Sequence, residues 1–132
     1  GIGTTSPNST LHIVAGGTTL ASSWDVYSDP NIKANLVQQN INNFNFSTAK
    51  LYSYNLKWSE TNPVYDENGT LISENTVDKI SNRTQLGLAS SEVPQECVRD
   101  AGGYDAVDTY CLLSLAYAKI AQLESRLAAL GG

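Results

Sequence analysis

The most regular pattern of apolar positions lies in the last quarter of the chain. Over residues 108–130, apolar side chains recur at alternating steps of three and four, as the a and d positions of a heptad repeat do. These positions are Leu113, Ala116, Ile120, Leu123, Leu127 and Leu130. The pattern predicts a long amphipathic helix, which either packs on its own domain or associates with copies of itself. The opposite face, with Gln122, Ser125 and Ala129, has little to bury and favours self-association.

The beginning of the chain shows no such periodicity. Residues 1–27 are rich in Gly, Thr and Ser and have too few apolar side chains for a core of their own, so we expect them to be extended, as the end of a longer shaft. Ser28-Asp29-Pro30 then predicts a helix start, because Asp29 can cap free backbone N–H groups and Pro30 suits the first helical position. Apolar residues at helical spacing predict a short helix from there to about Asn42.

Strands are predicted between the two helices. Residues 51–58 are rich in aromatic side chains, as strands often are. Two short arms flank Asn68-Gly69, a pair that can supply both positive-φ residues of a tight hairpin turn. Residues 86–89 predict a further strand. The sequence therefore predicts an α+β fold of small strands and hairpins, with a short N-terminal helix and a long C-terminal helix.

Composition narrows the function classes. The 132 residues include 13 acidic and 8 basic side chains, and the net charge of -5 argues against binding the phosphate backbone of nucleic acid. No apolar run approaches the roughly 20 residues of a membrane span. The single histidine, His12, excludes a Ser-His triad and a multi-histidine metal site, so we expect no metal and no cofactor. We expect Cys97 and Cys111 to be free buried thiols, although they could pair.

The predicted helix start brings two reactive side chains together. If Asp29 caps the helix, Ser28 precedes the cap and Lys33 is the fourth helical residue, and side chains at these two positions normally touch. A Ser-Lys dyad can act in nucleophilic catalysis, with the neutral amine taking the hydroxyl proton. The hydroxyl lies beside its own peptide bond, which suggests attack on the Tyr27 carbonyl and cleavage between Tyr27 and Ser28. Taken alone, a Ser and a Lys five residues apart are also a common surface pair.

The same helix start offers donors for a developing negative oxygen. The backbone N–H groups of Asn31 and Ile32 are expected to be unpaired in the first turn, where they could stabilise an oxyanion. Pro30 has no N–H to donate.

Residues 28–36, Ser-Asp-Pro-Asn-Ile-Lys-Ala-Asn-Leu, resemble a known signature. It is the Ser-Asp-x-Arg-Leu-Lys-x-Asn-Ile motif of the C-terminal intramolecular chaperone domains of phage tail fibres and tailspikes, including endosialidases. Residues 54–58 resemble the Tyr-x-x-Lys-Trp strand of this family, the terminal helix resembles its trimeric tail, and residues 1–13 resemble fibre shaft sequence. Residues 86–88 and 92–94 resemble the family's Gly-Phe-Ile-Ala-Gln-Glu-Val strand. Asn31 stands where the family usually has Arg, and Ser91 where this strand has Gln.

The resemblance implies a division into the end of a fibre shaft, residues 1–27, and a chaperone domain, residues 28–132. The C-terminal helices would form a trimeric coiled coil, so the partners are two further copies of the chain and the upstream shaft of the same polypeptide. This homotrimer would help the fibre fold in the host cytoplasm, and the fibre would then belong to the virion tail.

The resemblance also implies self-cleavage, as a serine endopeptidase that acts once, in cis, between Tyr27 and Ser28. Ser28 would be the nucleophile and Lys33 the base, with Asn35 and Asp29 in supporting positions. Two alternatives stay open. One is a trimeric foldon that does not cleave, and the other is a receptor-binding tip of a viral fibre that uses the aromatic side chains of Tyr52, Tyr54 and Trp58.

Overall fold

The architecture is α+β, as predicted. The computed structural model describes residues 1–7, 9–13 and 17–131. Within these ranges lie two antiparallel two-stranded sheets and one long C-terminal α-helix. The chain divides into two compact units, one made of Gly1–Leu20 and Leu51–Gly87 and the other of Ala21–Lys50 and Leu88–Gly132.

The first unit is dominated by a long β-hairpin. Strand β1 (Tyr52–Tyr65) pairs antiparallel with β2 (Leu71–Gly87), which confirms the strand and the hairpin predicted from the sequence. The predicted turn geometry is wrong, because Gly69 has a positive φ of 81° but Asn68 does not. The carboxylate of Asp66 closes the loop instead, since its Oδ1 accepts hydrogen bonds of 2.9 Å from the N–H groups of Asn68 and Thr70.

The predicted strand over 86–89 is the end of β2, which stops at Gly87, so the prediction is only half correct. The ring of Tyr54 lies over this glycine, and a Cβ atom at Gly87 would come within 3.0 Å of the ring. A side chain at this position would therefore require the Tyr54 ring to shift by a few tenths of an ångström.

The predicted shaft segment forms little regular structure in a single chain. In the described part of 1–27, the only β-pairing is an isolated parallel bridge between Ile2 and Ile13, where the Ile2 N–H donates to the His12 carbonyl at 2.8 Å. Residues 8 and 14–16 lie outside the described residues.

The prediction of a helix from Ser28 to about Asn42 is wrong. Two short 3-10 turns, Pro30–Ile32 and Ile41–Asn43, stand at its ends. Asn35 between them has a left-handed backbone with φ of 53°, which an α-helix does not accommodate. The apolar residues that suggested the helix do not form a buried face, since Leu36 is 67% exposed.

The C-terminal helix is confirmed and spans Thr109–Gly131 (α1). Asp108 caps it, because its Oδ1 accepts a 3.0 Å hydrogen bond from the Cys111 N–H. Gly132 lies outside the described residues. Among the helices of the described chain, none is long and apolar enough to cross a membrane.

One face of α1 packs on its own unit. Leu112 and Ala116 line a small apolar cavity of about 170 Å³ together with Phe46 and Val93. Further along, the Gln122 side chain donates a 2.7 Å hydrogen bond to the Asn42 side chain. The side that looked polar in the sequence therefore makes contacts within the chain.

The heptad face of α1 is left open. Leu123 is 53% exposed and Leu130 is 86% exposed, while Ala116 alone of the six heptad positions is half-buried. The two interpretations of the helix are thus not exclusive, because packing on the chain's own unit covers Ala116 but leaves the other five heptad positions exposed.

A single chain buries very little. Among the residues that the structure describes, Val93 and Cys97 are the only buried hydrophobic ones. The chain exposes 10975 Å², whereas a folded monomer of 14.2 kDa exposes roughly 6,800 Å².

The expectation of free thiols is wrong, because Cys97 and Cys111 form a disulfide. Between them lie strands β3 (Val98–Asp100) and β4 (Asp105–Val107), which pair as a small hairpin that the sequence did not predict. The hairpin returns the chain on itself and brings the two cysteine Cα atoms to 5.4 Å, a separation that a disulfide spans. The bond ties the start of α1 to the 3-10 turn Gln95–Cys97.

We expect the double variant Cys97→Ala/Cys111→Ala to lose about 2–4 kcal/mol in free energy of unfolding, since the bond closes a loop with a sequence separation of 14. Urea unfolding of the oxidised protein, the reduced protein and the variant measures this loss. Reduction should destabilise the wild type and leave the variant unchanged. Equal stability of the oxidised and reduced wild type would contradict the bond's contribution.

Candidate functional site

A single capped turn builds the candidate site. Asp29 accepts a 2.9 Å hydrogen bond from the Asn31 N–H through Oδ1, and Pro30 follows it as the first residue of the 3-10 turn, as predicted. The turn ends at Lys33, whose N–H donates to the Pro30 carbonyl at 3.2 Å and whose backbone is extended. With its carboxylate held by the cap, Asp29 makes no ion pair with Lys33.

The two side chains on either side of this turn touch. The Lys33 Nζ atom donates a hydrogen bond to the Ser28 Oγ atom at 2.9 Å. The contact predicted from the sequence is therefore present, although a single 3-10 turn, and not the first turn of an α-helix, produces it. An amine beside a hydroxyl, next to the Tyr27–Ser28 peptide bond, has the composition of a general base and its nucleophile.

A third group completes the cluster. The Tyr110 hydroxyl lies 2.9 Å from Ser28 Oγ, so Lys33, Ser28 and Tyr110 form one chain of hydrogen bonds. Tyr110 belongs to the first turn of α1 and is 82 residues from Ser28. Sequence reasoning missed it because no local spacing connects residues so far apart.

The cluster alters the acidity of the phenol. The hydrogen bond from Ser28 lowers the pKa of Tyr110 below its usual value, although partial burial opposes the shift. The nearby Ser114 side chain and the positive charge of Lys33 lower it further. All three members of the cluster are exposed in the single chain.

The predicted oxyanion donors are already occupied. The Asn31 N–H donates to the Asp29 carboxylate, and the Ile32 N–H donates to the Asp29 carbonyl at 3.1 Å. The expectation that these two groups are unpaired is therefore wrong in this conformation, because the tight 3-10 turn uses them to close itself. Any donor to a developing oxyanion has to come from other groups.

The segment before Ser28 runs beside the start of α1. Trp24, Asp25 and Val26 line a groove of about 410 Å³ together with residues of the first turn of α1, among them Thr109 and Tyr110. The Tyr27 side chain is 92% exposed. The peptide bond predicted to break is thus accessible, and the chain leading to it follows the helix that carries Tyr110.

Three aromatic residues suggested as a receptor-binding surface lie along β1. Tyr54 and Trp58 are half-buried; the Tyr54 ring covers Gly87, and the Trp58 ring nitrogen donates to Glu60 at 3.1 Å. These contacts hold two of the three rings within the hairpin and give no specific support to a stacking surface for glycans.

Neither a metal centre nor a relative is apparent. Within residues 1–7, 9–13 and 17–131, no group of three or more His, Cys, Asp or Glu side chains is placed to hold a metal ion. Comparisons with protein-family models, curated proteins and solved structures found no match to the chain. The function has to be inferred from the site and the surface.

Asn35, which the sequence placed in a supporting role, is important for its backbone. Its left-handed φ of 53° turns the chain two residues after Lys33. Glycine adopts this conformation most readily, and among residues that carry a side chain asparagine is one of the few that tolerate it.

We expect Asn35→Ala to lower the free energy of unfolding by about 1 kcal/mol, and Asn35→Gly to leave it nearly unchanged, because only alanine is strained at this φ. Urea unfolding measures both values, and Asn31→Ala, at an exposed position without positive φ, is the matched control. Equal losses for the Ala and Gly variants at position 35 would show that the side chain matters and not the backbone.

Proposed function

We propose that the chain is a trimerisation chaperone at the end of a phage tail fibre or tailspike, which releases itself by cutting the Tyr27–Ser28 bond. The main support for cleavage is the 2.9 Å hydrogen bond between Lys33 Nζ and Ser28 Oγ, which lies next to the Tyr27–Ser28 peptide bond. The resemblance of residues 28–36 to the chaperone signature supports the same assignment.

The proposed reaction needs only water as a co-reactant. Neutral Lys33 takes the hydroxyl proton of Ser28, and Oγ attacks the Tyr27 carbonyl carbon. The carbon–nitrogen bond then breaks as the proton passes to the Ser28 nitrogen, which leaves Tyr27 esterified to Oγ. Water hydrolyses this ester, giving the Tyr27 carboxyl group and a new amino terminus at Ser28 with its hydroxyl restored.

The exposed surface supports assembly into a trimer. The leucine stripe of α1 is open, and the chain exposes several thousand Å² more than a folded monomer of its mass. The heptad spacing of the six positions suits burial of the stripe between neighbouring parallel helices, and the number of three comes from the family resemblance. We assign the missing core to the neighbouring copies of the chain.

Assembly would also help Lys33 to act as the base. An ordinary lysine, with a pKa near ~10.4, is almost entirely charged at neutral pH and cannot accept a proton. Lys33 is exposed in the single chain, and removing an amine from water favours its neutral form. Coverage of the dyad by neighbouring subunits would therefore make cleavage follow assembly.

Assembly before cleavage is a suitable order of events for a fibre. Long trimeric β-structures depend on contacts between distant residues and have unpaired edges, so aligning three chains is slow. Helices that associate first fix the register of the shaft. Cleavage afterwards removes the clamp and leaves a fibre whose stability is kinetic.

A foldon that does not cleave is the second candidate. It is favoured by the occupied N–H groups of Asn31 and Ile32, which leave the proposed site without the oxyanion donors expected from the sequence. The mass of the wild-type chain separates the two functions.

We expect wild-type protein to split into pieces of 27 and 105 of its 132 residues. Ser28→Ala should stay intact because it lacks the nucleophile, and Lys33→Arg should stay intact because arginine keeps the charge but does not act as a base. Mass spectrometry of each purified chain measures this.

The matched controls are Ser23→Ala and Lys50→Arg, which change exposed side chains of the same types outside the cluster and should be cut like the wild type. Cleavage between Tyr27 and Ser28 in the Ser28→Ala variant would end the dyad mechanism. An intact wild type that still forms a trimer would identify the foldon.

A further inference from the structure

We propose that Tyr110 is a third catalytic residue of the self-cleavage, which holds Ser28 Oγ towards Lys33 and donates its phenolic hydrogen to Oγ as the nucleophile loses its proton. This role rests on the proposed function and adds to it a residue from α1, the helix to which we assign trimerisation.

The geometry of Ser28 Oγ carries the inference. Its two partners, Lys33 Nζ and Tyr110 Oη, are each 2.9 Å away. A hydroxyl donates one hydrogen bond and accepts up to two. When neutral Lys33 accepts the Ser28 proton, the hydrogen bond that remains to Oγ has to come from a donor, and the phenol is a donor. Tyr110 can therefore supply this donor without moving.

The phenol is suited to stabilise negative charge on Oγ. Hydrogen bonds to an ionised oxygen are about twice as strong as those between neutral groups. Orientation of the nucleophile also matters, because a misplacement of about 1 Å can lower a rate by about 100-fold.

Tyr110 also connects the dyad to the start of the helix. The next residue, Cys111, is held by the cap from Asp108, and the Ser114 hydroxyl donates to the Tyr110 carbonyl at 2.7 Å. The groove that holds residues 24–26 is lined by the same turn. The first turn of α1 must therefore be formed before the nucleophile has both partners, which links cleavage to folding of the helix.

The test compares Tyr110→Phe with Tyr117→Phe in the full chain. Tyr117 lies on the same helix, is 75% exposed, and its hydroxyl makes no hydrogen bond to any residue that the structure describes. Each chain is made by cell-free translation, and the rate at which the piece beginning at Ser28 appears is followed by mass spectrometry. Sedimentation and thermal unfolding report assembly and stability.

We expect Tyr110→Phe to be cut at least about tenfold more slowly than the wild type, with unchanged assembly, and Tyr117→Phe to be cut at the wild-type rate. If Tyr110→Phe is cut at the wild-type rate while Ser28→Ala stays intact, Tyr110 has no catalytic role and the Ser28–Lys33 mechanism is unaffected. An intact wild type would overturn both.

A second substitution covers the case in which Tyr110→Phe does not assemble. Replacing Tyr110 by 3-fluorotyrosine keeps the hydroxyl and makes it more acidic, so it should donate more strongly and speed up cleavage. The same replacement at Tyr117 should have no effect. An unchanged or slower rate with 3-fluorotyrosine at position 110 would contradict the donation to Oγ.

Discussion

The hydrogen bond between the Lys33 amine and the Ser28 hydroxyl is the contact on which the proposed chemistry depends. It exists because Asp29 and Pro30 force a tight turn between the two side chains, and because the left-handed Asn35 redirects the chain just beyond it. The turn uses its own N–H groups to close, so it positions a nucleophile and a base without offering a free oxyanion site. A site built in this way is suited to a single cut in its own backbone.

The second constraint is the lack of a core in one chain. Among the described hydrophobic residues only Val93 and Cys97 are buried, and we propose that association supplies stability that this small core does not. The host cytoplasm, where we propose that assembly takes place, keeps thiols reduced. During assembly Cys97 and Cys111 would then be free, and the first turn of α1 would rely on the Asp108 cap and the Tyr110 contact. Association of the exposed heptad positions would supply the rest of the stabilisation.

The elements that the sequence predicted well are those set by neighbouring residues. The Asp29 cap, the Ser28–Lys33 contact, the hairpin and the C-terminal helix all follow from residues a few positions apart or from a long repeat. The helix after Pro30 was predicted wrongly, since apolar spacing did not reveal that Asn35 would adopt a left-handed backbone. Tyr110 and the disulfide were missed because folding brings together residues that are distant or separated by an unrecognised hairpin. Half of the cluster around Ser28 Oγ, the lysine but not the tyrosine, was thus predictable.

Native mass spectrometry of the refolded wild-type protein tests self-cleavage and assembly together. We expect a complex of three chains, each of 105 residues with Ser28 at its new amino terminus, and no cut chain in the monomer fraction. A monomer of the intact 132-residue chain as the only product, or a cut at another bond, would contradict the function proposed for this protein.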